Sequence, residues 1–119
     1  MAIPSGTFRT DLNQGIPVFS VDGYFADQTG KALQDAIRPF LFQGKTTVIL
    51  DLLNCTTVNS QGVGWVLMIS LEVVEEFGGK FFITGMDKLK STVFALAGIN
   101  IRSTFVNHIE DVFDILKNP

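Results

Sequence analysis

Apolar and polar positions alternate in blocks along the chain. Two short β-prone runs, at residues 8–12 and 17–21, are separated by Asn13, Gln14 and Gly15 and predict a hairpin. Pro17 sits at the start of the second run, where a missing N–H is tolerated. "DGYFAD" then turns into a helix from about residue 28. Its apolar positions Ala32, Leu33, Ala36, Ile37 and Phe40 recur at helical spacing, and Pro39 predicts an end or kink near Arg38. "TTVILDLL" is a continuous aliphatic run with no polar alternation before Asp51, the pattern of a strand covered on both faces.

A long helix over 61–77 follows, stopped by Gly78 and Gly79. "KFFITG" predicts a strand, "DKLKSTVFALAG" a helix capped by Asp87 and stopped by Gly98, "STFVN" a strand and "IEDVFDILK" a last helix. The order is β-β-α-β-α-β-α-β-α. It predicts one α/β domain over 1–119, with a mixed, mostly parallel sheet of about five strands and about four helices.

Counted at about 100° per residue, the 61–77 helix places Val63, Val66, Leu67, Leu71, Val73, Val74 and Phe77 on a core side. Glu72, Glu75 and Glu76 fall opposite. Gln61, Gly64, Trp65, Met68 and Ile69 also fall outward, either under a neighbouring element or as an apolar contact patch for a partner or a second copy.

Composition narrows the chemistry. At 119 residues with 46% hydrophobic positions and 11 Phe, the chain can build a core without staples. A net charge of −3 argues against nucleic acid or anionic lipid as a partner. The single Cys55 excludes an internal disulfide and suits a reducing cytoplasm. No apolar run has the length of a membrane span or the form of a signal peptide. One His and one Cys, far apart, give no metal-ligand spacing and little basis for an enzyme, and no cofactor is implied. His108 reads as a surface residue or local cap and Cys55 as packing. "GVG" fails as a dinucleotide loop because Leu67 occupies the third glycine position.

The remaining signal is the junction Asn59-Ser60-Gln61-Gly62, with Gly64 beyond it. A Ser or Asn there is first of all a helix cap. A phosphate on Ser60 is compatible with that, because a helix start carries partial positive charge and free N–H groups. It would set about two negative charges beside the outward apolar residues. Gly62 and Gly64 would allow close backbone approach by a partner.

"TVILDLLNCTTVNSQGVGWVLMI" resembles the signature of STAS domains, and in particular of anti-sigma factor antagonists. Asp51-Leu52 matches the strand end, and Ser60, Gly62 and Gly64 match the motif after the loop. "VFSVDGYF", "FGGKFFITG", "KLKSTVFALAGI" and "FVNHIEDVF" continue the similarity collinearly. The chain departs from the pattern at Asn59, Gln61 and Ala26, with Asp27 one residue further on.

The resemblance implies a phosphorylation-switched binding module, itself no enzyme. Ser60 would be the acceptor, Tyr24, Asp27, Asn59, Gln61, Gly62, Gly64, Trp65 and Met68 the partner-binding residues. The implied partners are an anti-sigma factor with serine kinase activity and a metal-dependent serine phosphatase, with a homodimer as a further option. Two alternatives stay open: an unphosphorylated STAS scaffold for constitutive assembly, and a small-molecule carrier or enzyme with an anion site at the same helix start.

Overall fold

The computed structural model describes residues 6–118. Strand β1 (Thr7–Asn13) pairs antiparallel with β2 (Ile16–Phe25) around the Gln14-Gly15 turn, as the hairpin pattern predicts. β2 then lies parallel to β3 (Thr47–Asp51), β3 to β5 (Lys80–Thr84), and β5 to β6 (Ser103–Val106), giving the order β1-β2-β3-β5-β6.

The sheet has six strands rather than about five. β3 ends because Asp51 turns the chain: its Oδ1 accepts the Leu53 N–H and the Thr84 hydroxyl, each at 3.1 Å. The chain re-enters the sheet as β4 (Cys55–Val58), which pairs parallel with the far half of β2. Four residues, two of them threonines, give too short an alternation to announce a strand.

Helix α1 (Asp27–Phe42) continues past Pro39, so of the end or kink predicted near Arg38 the end does not occur. Pro39 is exposed and removes one donor from the ladder. Leu33, Ile37 and Leu41, seated in the core on one stripe, hold the last turn down regardless. Helix α2 (Ser60–Ser70) passes into a π-helical stretch, Leu71–Glu76, in place of one regular helix to residue 77. Helices α3 (Lys88–Leu96) and α4 (Ile109–Lys117) match expectation, with an unforeseen 3-10 turn at Ile99–Ile101 between α3 and β6. Asp87 caps α3 through Oδ1 to the Lys90 N–H at 2.8 Å. The His108 N–H bonds Asp111 at the start of α4.

Alternation along each strand divides the apolar residues between two layers. Phe19, Val21, Phe25, Val48, Leu50, Phe81 and Ile83 point into the larger core, with Leu33, Val66 and Phe94 from α1, α2 and α3. Val18, Ile49 and Phe82 point the other way, where Val112 and Phe113 of α4 cover them. Cys55 is buried beside the larger core, and that burial pushes its thiol pKa up. Among the described residues no helix is long and apolar enough to cross a membrane, and no group of His, Cys, Asp or Glu could hold a metal ion.

Candidate partner-binding site

The start of α2 is organised by Asn59. Its extended backbone is followed by the helix, and its side-chain Oδ1 accepts the Gly62 N–H at 2.8 Å. This is the N-cap bond, made by the first of the two candidates. Ser60 is therefore released from capping: it is exposed, and its hydroxyl has no hydrogen-bond partner among the described residues.

The buried stripe of α2 is Gly62, Val66, Ile69 and Ser70, continued by Val73 in the π stretch. Two outward assignments fall with this. Ile69 is buried, not exposed. Glu72 is largely covered, its carboxylate held by Arg38 of α1 through three bonds of 3.1–3.2 Å. That pairing raises the Arg38 pKa above its ordinary value. The helical wheel assumed 3.6 residues per turn throughout. The first half is apolar on nearly every side, from Val63 to Ile69, so apolar positions alone drew the stripe about one residue off the buried one.

Gly62 is also corrected as a partner-contact residue. A Cβ there would stand 2.6 Å from the Phe25 carbonyl oxygen, so the missing side chain lets α2 close on β2 of its own fold. Gly64 does meet the expectation of open space, with nothing within 4 Å of a built Cβ.

Trp65 is half-covered. Its indole lies across Gly30 of α1, where any Cβ would collide with it. Its Nε1–H donates to Asp27 Oδ1 at 2.7 Å. Gly30 was not singled out in the sequence; a glycine inside a helical pattern was its only signal. Trp65 thus forms the wall of a shallow hollow shared with Asp27, Gln61, Gly64 and Met68, of about 300 Å³ and almost wholly apolar in lining. Met68 remains 55% exposed at its rim. Tyr24 does not join this group. It alternates with Phe25 on β2 and so stands on the opposite face of that strand from the α2 packing.

The geometry therefore gathers Asp27, Gln61, Gly64, Trp65 and Met68 beside a free serine hydroxyl, with Asn59 and Gly62 as supports. An apolar hollow edged by one amphipathic indole suits a side chain of another protein better than a charged metabolite.

The sequence matches no protein-family model and no curated protein. Among solved structures, an anti-sigma factor antagonist from Mycobacterium paratuberculosis aligns with 99% of this chain and 100% of its own length, at 19% identity and a TM-score of 0.79. The Bacillus cell fate determinant SpoIIAA in its phosphorylated form aligns with 92% of this chain and 99% of its own, at 20% identity and a TM-score of 0.71. The murine anion transporter Slc26a9 also matches, at 14% identity and a TM-score of 0.74, over 98% of this chain but 23% of the transporter. The chain shares the fold of these structures, the STAS fold.

Proposed function

We propose that this domain is a regulatory binding module of the anti-sigma factor antagonist kind, switched by phosphorylation of Ser60. An anti-sigma factor with serine kinase activity would be both its partner and its modifying enzyme, and a metal-dependent phosphatase would reset it. The domain would catalyse nothing.

The observation that supports this reading is the unengaged, exposed Ser60 hydroxyl one residue past the cap and beside the Trp65–Met68 hollow. A phosphate placed there keeps the helix, because Asn59 still caps and the first-turn N–H groups favour an anion. It also loads roughly two negative charges onto the rim of an apolar contact, next to the existing carboxylate of Asp27. Juxtaposing like charge or burying an unpaired one costs about 2–5 kcal/mol, which at about 1.4 kcal/mol per tenfold weakens binding by roughly one and a half to three and a half orders of magnitude.

Incubation with the kinase-type anti-sigma factors of its own cell and ATP, followed by peptide mass spectrometry, tests the acceptor. Phosphate on Ser60, with capture lost in Ser60→Asp and kept in Ser60→Ala, is the expected result. Phosphate elsewhere, or none, overturns it.

A second reading is a constitutive scaffold using the same hollow. Asn59 and Gln61 favour it, because they take the acidic and hydroxyl side chains away from both sides of Ser60. On that reading Met68→Asp abolishes assembly while Ser60→Asp leaves it intact.

A further inference from the structure

We infer that the groove between β4 and α3 binds an extended segment of a partner polypeptide, which adds to the sheet as a strand alongside β4. β4 pairs with β2 and with no other strand among the described residues. β3, which fills the neighbouring place for the first half of β2, has already ended at Asp51. The opposite edge of β4 faces α3 across a cleft of about 180 Å³, lined by Thr56, Thr57 and Val58 on one side and Leu89, Val93 and Phe94 on the other.

Helix α3 presents Leu89, Val93 and Leu96 at i, i+4 and i+7, and they are 73, 39 and 84% exposed. A nine-residue helix with that stripe facing water lacks a covering layer. The cation at the groove, Lys90, is spoken for: its stem is mostly covered and its ammonium bonds Asp87 Oδ2 at 2.9 Å. An anionic metabolite therefore finds no free charge there.

Three features select the occupant. An open strand edge recognises peptide backbone and little else, because its ladder groups need N–H and C=O partners at strand spacing. The cleft volume is below the roughly 300–1,000 Å³ of small-molecule pockets but suits one or two apolar side chains of an added strand. A cleft bounded by β4 on one side and by α3 on the other has the width of one extended segment rather than of a second sheet. This inference goes beyond the α2 hollow and stands whether or not Ser60 is modified.

The test is selection of random heptapeptides displayed on phage against the intact chain, with the enriched peptide resynthesised. Its affinity is then measured by fluorescence anisotropy. Binding at least about tenfold weaker to Val93→Asp, and unchanged for Met68→Asp and Ser60→Asp, places the peptide in this groove rather than on α2. Leu89→Ser is a milder second variant, and circular dichroism confirms that each variant is folded. N-methylation of alternate peptide amides must abolish binding in one set and spare it in the other. Slowed amide exchange at residues 56–58 completes the expected result. Failure to enrich any peptide sensitive to Val93→Asp overturns the inference, as does indifference to backbone methylation. A concentration-dependent dimer that Val93→Asp dissolves overturns it in favour of a second copy.

Discussion

Asn59 makes the cap of α2 and leaves the Ser60 hydroxyl exposed and unengaged. Asn59→Ala deletes the bond to the Gly62 N–H and is expected to cost about 1 kcal/mol in chemical denaturation, whereas Ser60→Ala should leave stability within about 0.5 kcal/mol. Gly30 offers a second residue-scale test. Gly30→Ala pushes its methyl into the indole of Trp65, and overpacking of this kind costs about 1–3 kcal/mol. Trp65 is the only tryptophan, so its emission reports the event directly: a red shift in the folded variant marks an indole driven off α1 into water. An unshifted spectrum would refute the packing described. Cys55 supplies a third. Burial raises its pKa, which suppresses the reactive thiolate, so a thiol reagent should modify it slowly in the native protein and rapidly in denaturant.

At the scale of elements, the ends are governed by single polar side chains. Asp87 holds the first turn of α3 through the Lys90 N–H and ammonium, and these contacts depress its carboxyl pKa below the ordinary value. A depressed acid contributes stability above its unfolded pKa and loses it as pH falls through the folded value. Asp87→Ala should therefore lower the melting temperature at pH 7, with the gap from wild type closing as pH drops below about 4. Such caps were legible: Asp87 and the α3, α4 and hairpin patterns read correctly from residue type and spacing. The long helix was half legible. Its existence follows from periodicity, but Val63, Trp65, Val66, Leu67, Met68 and Ile69 are apolar on every side, so a wheel has little contrast to orient it. The π stretch at Leu71–Glu76 has no local residue to signal it. Pro39 misled because a local breaker lost to a buried stripe.

Across the whole molecule, strand alternation sorts the core into unequal halves. Three helices share one face of the sheet, and α4 alone covers the other. Truncation before residue 109 would bare Val18, Ile49 and Phe82, and the shortened chain should bind a hydrophobic dye and aggregate. Phe82→Ala keeps α4 but hollows its seat, at an expected cost of about 3–5 kcal/mol in denaturant unfolding. The α/β class and the mostly parallel sheet were available from the succession of runs, because continuous aliphatic strands imply cover on both faces. The candidate site was legible as a segment and not as a surface. The sequence places Trp65 and Met68 beside Ser60, but only the tertiary fold brings Asp27 to the indole and turns Tyr24 away.

The separation of cap from hydroxyl at residues 59 and 60 has a consequence for how such a domain diverges. Were Ser60 the acceptor proposed above, a lineage could erase, restore or replace it by altering one codon, because the cap that starts the helix belongs to its neighbour. Signalling could then drift faster than folding, and a silent descendant would look, by its backbone, the same as a responsive one.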